Sequence, residues 1–353
     1  MKNYSLPLIL TLYLLMFGSL KMNCQNKKDY QIESIAFYNV ENLFDTVDDT
    51  LTFDDDRTSL GKDRWTEERY KRKIENIARV LSDIGKDNSQ NAPAIIGLCE
   101  IENRKVLEDL ISHPDLLDYH FGIIHYDSPD ERGIDVALLY QMRNFLPLNA
   151  QPRKLMIYDA DKRDYTRDQL VVNGLFHGEE MYFIVNHWPS RSGGEAKSSY
   201  KREKAALLNR RIIDSIYRID PEAKIIGMGD FNDDPTNKSF KKFLQTRSEI
   251  DGLKEKDLYN PMENMLKKGK GTLAYRDSWN LFDQIYVNQR LVSKNFDGFQ
   301  FFKAGIFNPP YIITQNGQYK GYPWRTYGSS GYEPGYSDHF PVYIYLIREL
   351  KPD

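Results

Sequence analysis

Apolar and polar positions alternate from residue 31 to 40, the two-residue period of a half-buried strand that ends in a polar turn. Residues 45–62 are acidic and rich in Thr, Ser and Gly, which predicts a loop. At Thr66 the period lengthens. Tyr70, Ile74, Ile77 and Leu81 recur on one face of a predicted helix, with Thr66 as its N-cap. Residues 94–99 are a short apolar run, predicting a buried strand that stops at Glu100. A helix is expected over 103–110 and a strand over 134–140. Residues 170–176 and 181–186 read as a hairpin around His177-Gly178-Glu179-Glu180. Leu207, Leu208, Ile212 and Ile216 give 198–219 a helical pattern. Strands follow at 224–228, 282–287 and 342–346, and the Gly-, Pro- and Tyr-rich stretch 308–336 reads as a long loop over one face. Helices interleaved with strands, several of them joined by hairpins, predict a mixed α/β sandwich.

The beginning of the chain breaks this pattern. Residues 6–20 are almost continuously apolar and carry no charge, with Lys2 ahead of them. The run is shorter than the roughly 18 residues expected of a membrane span, so residues 1–24 read as a secretory signal peptide. Cleavage is expected between Ser19 and Asn26. An uncleaved anchor is the alternative. Cys24 stands where a lipid could be attached, although Lys21-Met22-Asn23 lacks the small residues expected before such a site. The expected organisation is a leader over 1–24, with a lipoprotein variant, and one folded domain over 30–350. The protein is then exported, to be periplasmic, extracellular or lipid-anchored at the cell surface. The only other cysteine is Cys99. Loss or lipidation of Cys24 leaves no intrachain disulfide, which a large core permits.

With 353 residues and 41% hydrophobic content, the chain can bury one large α/β core. The 24 Tyr and 18 Phe suit a β-rich interior. The formal charge is -3. Removing residues 1–24, which carry Lys2 and Lys21 and no acid, takes it to about -5. That argues against a broad basic surface for non-specific nucleic-acid binding, but leaves room for a local basic groove.

Polar clusters at strand ends carry the chemistry. Gly229-Asp230-Phe231-Asn232 follows one apolar run, and Ser337-Asp338-His339-Phe340-Pro341 precedes another. Glu100 follows a third, where a fixed carboxylate at a sheet rim is a good hard ligand for Mg²⁺ or Mn²⁺. Each also has a plain reading, as a turn or as a charge opening a helix. Asn39 and Glu41, two apart after the first strand, could bind a metal or its water. His187 ends a strand and enters Trp188-Pro189-Ser190-Arg191-Ser192-Gly193-Gly194, where it could donate to a phosphoryl oxygen and Arg191 could help to hold phosphate. Asp283 lies in an apolar strand and needs a partner. His339 is the natural one, since a carboxylate fixes an imidazole tautomer and raises its basicity.

In order, Asn39, Glu100, His187, Asp230-x-Asn232, Asp283 and Asp338-His339 resemble the endonuclease/exonuclease/phosphatase superfamily, whose fold is shared by DNase I, apurinic endonucleases, neutral sphingomyelinases and inositol-polyphosphate 5-phosphatases. The resemblance covers residues 32–346. It implies a DNase I-like, four-layered α/β sandwich of two packed mixed sheets flanked by helices, with the site at one end. It further implies that Glu100 is the principal metal ligand, helped by Asn39 and Asp338, with Glu41 less secure. His339, oriented by Asp283, acts as base or phosphate-polarising group. Asp230 positions or activates water, Asn232 contacts the phosphate, and His187 stabilises developing charge. Arg167 resembles a substrate-contacting arginine.

The expected activity is that of a phosphodiesterase dependent on Mg²⁺, Mn²⁺ or Ca²⁺, in which water attacks phosphorus in line. Nucleic acid is the expected substrate, with endo- and exonuclease action both open. A phosphorylated lipid or small molecule, including a phosphosugar, is the alternative, and a non-catalytic surface binding protein on the same scaffold is a reading of another class. No obligate protein partner is evident, which suits a monomer.

Overall fold

Two sheets take up the strands that the alternation predicts, and five more that it does not. The structure is a computed structural model that describes residues 28–350 apart from 294, 295, 297 and 330. The expected leader and Cys24 lie outside the described residues. Among the described residues, no helix is long and apolar enough to cross a membrane.

In chain order the sheet strands are β1 (Tyr30–Leu43), β2 (Ile95–Ile101), β3 (Phe121–His125), β4 (Asp135–Gln141), β5 (Phe145–Arg153), β6 (Gln169–Phe176), β7 (Glu179–His187), β8 (Lys224–Asp230), β9 (Thr246–Arg247), β10 (Leu258–Tyr259), β11 (Asp283–Asn288), β12 (Gln300–Ile306) and β13 (Val342–Glu349). One sheet has the order β12-β13-β1-β2-β4-β3 and the other β9-β10-β11-β8-β7-β6-β5. β1 runs parallel to β2 and antiparallel to β13. β8 likewise runs parallel to β7 and antiparallel to β11. Each sheet thus has a central parallel pair with an antiparallel strand beside it, and the short β9 and β10 add a second parallel pair at one edge.

Alternation sorts the side chains into layers. Ile35 and Phe37 of β1 face the second sheet, in one interior cluster with Val185, Met228, Ile285 and Ile344. Ala36 and Tyr38 face outward to α1 (Glu67–Asp83) and α2 (Arg104–Ile111), through Ile74, Ile77, Leu81 and Val106. On the other flank, α3 (Glu195–Ile219) packs Ala205, Ile212 and Ile216 on Ile184 and Ile225. The layers run helix, sheet, sheet, helix.

Helix α1 shows what fixes such an element. Thr66 accepts from the Arg69 backbone N–H at 3.4 Å, a cap worth about 1 kcal/mol. Burial of Ile74, Ile77 and Leu81 contributes roughly 1.5–3 kcal/mol each, so packing outweighs capping. Lys73 and Asn76 are buried on the same face. They donate to Tyr336 O at 2.6 Å and Gly335 O at 2.7 Å, which pins the long C-terminal loop over α1.

Five strands are absent from the sequence reading: β3, β5, β9 and β12 are sheet edges, and β10, like β9, is only two residues long. β5 contains Pro147 and Pro152, which lack the N–H of a ladder donor and are tolerated at an edge. The loop 308–336 is longer than any strand but not formless, since it holds a one-turn 3-10 helix (Pro310–Ile312) and a two-residue-stranded hairpin.

Candidate active site

Strand register assembles the centre. Asp230, the last residue of β8, stands opposite Asp283 of β11 on one side and His187 of β7 on the other. Residues opposed across a ladder share a face. That face is the inter-sheet one, two residues beyond the core positions Met228, Ile285 and Val185. One polar row therefore ends the sandwich core, with exposures of 4% for His187, 2% for Asp230 and 0% for Asp283.

The other sheet closes over this row. Asn39, where the regular β1–β2 register ends, donates from Nδ2 to Asp230 Oδ2 at 3.0 Å. Its carbonyl accepts from Ser337 Oγ at 2.7 Å, and Ser337 Oγ accepts from the His339 backbone N–H at 3.1 Å. The segment before β13 is thus fastened to β1, and His339 Nδ1 comes 2.6 Å from Asp283 Oδ2. The expected Asp–His pair is present.

Four non-glycine residues here adopt left-handed backbone, at φ 53° for Glu41, 53° for Asn42, 61° for Glu100 and 50° for Asn232. Such conformations cost about 1–3 kcal/mol and cluster where a site over-determines them. Glu100 sits where the β2–β4 register shifts between Cys99 and Ile101, a bulge that takes its side chain out of the alternation. The Asn42 N–H donates to Glu100 Oε2 at 3.0 Å. Asn232 closes a turn in which its N–H donates to Asp230 Oδ1 at 2.9 Å and its Nδ2 donates to Trp188 O at 3.0 Å. One N–H of that amide stays free to meet an anion.

Charges held out of water set the chemistry. Burial raises the Asp230 carboxyl to about 6, against the lowering pull of His339. Burial also raises Glu100, and raises Glu41 to about 7 with help from Asp338. Burial, reinforced by Arg167 and Arg132, holds His187 well below the usual imidazole range, so it is neutral. Its Nε2 lies 3.6 Å from Asp230 Oδ2 and 3.9 Å from Glu100 Oε1. His339 goes the other way. Burial opposes its charge, but Asp283, Asp230 and Asp338 outweigh burial and raise it well above the usual range. It is an imidazolium.

Of the four expected metal ligands, Asn39 and Glu100 border the Asp230 row. Glu41 and Asp338 are linked through Arg325, and Asp338 Oδ1 lies 4.0 Å from His339 Nε2. Glu41 Oε2 accepts from the Thr326 N–H at 2.6 Å and is 3.9 Å from Lys73 Nζ, so it is the most encumbered of the four. Asp338 Oδ2 accepts from Arg325 Nη2 at 2.6 Å, and Arg325 Nε is 3.8 Å from Glu41 Oε1. A guanidinium is placed where several carboxylates need positive charge. Among the described residues, two of the three tight donor groups of His, Cys and carboxylates lie in the row, Cys99 with His187 and Asp230 and, sharing Asp230, Asp283 with His339; the third, His125 with Asp127 and Asp135, lies on β3, β4 and the turn between them. Acidic and His groups that could hold a metal are thus present. An oxygen-dominated set, with Glu100 raised by burial and Asp338, against burial, lowered by His339 and Arg325, has the donor chemistry of a hard divalent cation, which Asn39, Glu100 and Asp338 could hold.

The two expected substrate arginines have other attachments. Arg167 is buried, donating to Asp130 Oδ2 and to Trp188 O, both at 2.8 Å. It lines a cavity of about 380 Å³ with Arg132, Ser190 and Lys201. Arg191 donates to Asn232 O at 2.9 Å, and reaches Asp233 at 3.3 Å and Glu195 at 3.3 Å. Those bonds make it a brace for the Asn232 turn. Sequence reasoning missed Lys73, Arg132 and Arg325. Lys73 left a signal, being a charge on the apolar face of α1 three residues after Tyr70. Arg132, in a charged turn before β4, left only a weak one.

Residues 34–348 match the model described as Endonuclease/Exonuclease/phosphatase family. No curated protein matches the chain. Solved structures do. An endonuclease/exonuclease/phosphatase family protein from Bacteroides thetaiotaomicron superposes with a TM-score of 0.54 at 19% identity, over 92% of this chain and 98% of that one. TDP2 of D. rerio, complexed with single strand DNA product, gives 0.52 at 14%, over 89% and 98%. The mannosyl-6-phosphatase Bt3783 of Bacteroides thetaiotaomicron gives 0.52 at 19%, over 89% and 99%. At these identities the likeness is one of fold, and the observed layers are those of the DNase I-like sandwich.

Proposed function

Because the chain belongs to the endonuclease/exonuclease/phosphatase family, whose members are phosphoesterase hydrolases, we propose that it is a divalent-metal-dependent phosphodiesterase that hydrolyses nucleic acid outside the cytosol. The observation that carries this reading is the buried row His187, Asp230, Asp283 and His339 at the mouth of the sandwich, beside Glu100. The row separates an acid from a base. Asp230 is a carboxylate above about pH 6 and takes the proton of the attacking water. His339, held cationic by Asp283, donates to a non-bridging phosphate oxygen rather than serving as base. Neutral His187 donates from one ring nitrogen to the charge that builds on phosphorus. A new oxygen–phosphorus bond forms, the ester bond opposite it breaks, and the leaving oxygen takes a proton from solvent. Asn39, Glu100 and Asp338 would hold a divalent cation, which would supply charge neutralisation for the phosphate.

Nucleic acid is favoured by the cavity that gathers Arg132, Arg167 and Lys201, which suits a phosphate chain, although Lys201 Nζ lies 2.6 Å from Asp164 Oδ2 and Arg132 Nε 3.7 Å from Asp130 Oδ1. Purified protein incubated with single-stranded DNA, duplex DNA and RNA, in Mg²⁺, Mn²⁺, Ca²⁺ or EDTA, tests it. Cleavage is expected with metal and is lost in EDTA and in His339→Ala. No cleavage of any nucleic acid by the unaltered protein overturns the nuclease reading. A second reading, hydrolysis of a small phosphoester such as a phosphosugar or lipid head group, is favoured by the acidic formal charge of -3. It predicts release of inorganic phosphate or phosphocholine from such substrates in place of strand cleavage.

A further inference from the structure

A cavity of about 950 Å³ opens beside the row, with Asp338 and Arg325 in its wall. Its size is that of a small-molecule site. The catalytic chemistry leaves it without a role. The remainder of the wall comes from two loops distant in sequence. One is the turn of a small hairpin that carries Tyr275 and Arg276. The other is part of the long C-terminal loop, with Tyr319 and Tyr322.

Seven aromatic residues fall in the stretch 311–336, and the structure divides them. Tyr311, Trp324, Tyr327, Tyr332 and Tyr336 pack against the helix-side core. Tyr319 and Tyr322 do not join that core. They extend a ladder of rings that begins at Phe340, the residue after His339. Phe340 stacks on Trp279 with centroids 6.1 Å apart and planes 14° apart. Trp279 meets Tyr322 at 5.7 Å, and Tyr322 meets Tyr319 at 5.7 Å. The ladder ends at Tyr319, 44% exposed, across the cavity from Tyr275, 64% exposed. Tyr322 is locked in place, donating to Asp277 Oδ1 at 2.6 Å and accepting from the Asp277 N–H at 2.9 Å.

From this arrangement we propose that the cavity is a nucleobase subsite, in which a base attached to the reacting phosphate stacks on Tyr319 and continues the ladder. The inference rests on the nuclease reading and deepens it. Exposed ring faces beside a phosphoester centre call for a flat partner, and every nucleobase offers a π face. Arg276 and Arg325 add planar donors for ring oxygens and nitrogens or for an adjoining phosphate. A sugar would rely on carboxylates to hold its hydroxyls. Of the three in the wall, Asp277 is bound by Tyr322 and Asp338 by Arg325, which leaves Glu333.

The test reads binding without turnover. His339→Ala protein in Mg²⁺ is titrated by calorimetry with adenosine 5′-monophosphate, ribose 5-phosphate and mannose 6-phosphate. The adenosine nucleotide is expected to bind roughly tenfold or more tightly than ribose 5-phosphate, the range of one base stacked on an aromatic side chain. Adding Tyr319→Ala brings the nucleotide down to the affinity of ribose 5-phosphate, while Tyr319→Phe keeps the preference. Equal binding of nucleotide and ribose 5-phosphate, tighter binding of mannose 6-phosphate, or a base preference that survives Tyr319→Ala each overturns the subsite. Failure to cut nucleic acid instead strikes the reading on which it rests, so the two failures are told apart.

Discussion

Asp230 and Tyr319 stand at opposite extremes of exposure, 2% and 44%, although the row and the cavity wall to which they belong adjoin at Asp338. The row is carried on strand ends whose register is fixed by two packed sheets, and its polar atoms bond mainly to one another. The wall is carried on loops, and its rings are left for something else to cover. Groups that do chemistry have to be held out of water at fixed separations, and a sheet end does that. Groups that choose a substrate have to remain reachable, and a loop on a rigid scaffold does that. If the contrast holds, changes in the row lower every activity alike, while changes in the wall sort substrates.

The largest effect is expected at Asp230. Asp230→Asn lowers kcat by about 10²–10⁴ on every phosphoester the protein cuts, the worth of a general base. Thermal melting holds level or rises, because a buried charge is removed. A loss below tenfold would remove Asp230 from the chemistry. Lys73→Met is next. It strands Glu41 and the Tyr336 carbonyl, and urea unfolding is expected to show a loss of roughly 3–5 kcal/mol. A loss under about 1 kcal/mol would mean that Lys73 is no tie between α1 and the C-terminal loop.

The pH profile follows in size. A carboxyl raised to about 6 is reactive only above that value, so kcat/KM falls tenfold per unit on the acid side, with a midpoint no higher than about 6. A midpoint near 8 would instead give the role of base to a group of higher pKa, His339 first among them. The smallest effect belongs to the wall. Tyr322→Phe removes one hydrogen bond to Asp277, and is expected to narrow the preference for adenosine 5′-monophosphate over ribose 5-phosphate by about two- to tenfold. A uniform loss of affinity for both ligands would erase the distinction between row and wall.

The same division governs what could be read from the chain. Asp230, Asp283 and His339 were legible because each interrupts or borders an apolar run, and a charge there demands a partner. The pairing of His339 with Asp283 follows from that demand, and the 2.6 Å separation meets it. The left-handed backbone of Glu100 and Asn232 was not legible, since neither residue type requires it. Lys73 and Arg325 act through long-range closure. The partners of Lys73 lie 253 and 263 residues away, beyond the reach of any local pattern. The edge strands β3, β5 and β12 were lost because an edge relaxes the rules that make a central strand conspicuous, as Pro147 and Pro152 show. Among the aromatics of 311–336, packing rings and exposed rings have one sequence signature, and only the layer that each joins separates them.

Arg325 gives the protein a way to stay folded without the proposed ion. Carboxylates crowded at a cleft repel one another, and many such clefts loosen when the cation is withdrawn. Here a flexible, half-exposed guanidinium already sits on Asp338 and leans toward Glu41. On the proposed reading the chain can therefore stay folded but idle, and the cation content of its surroundings becomes the switch that starts it.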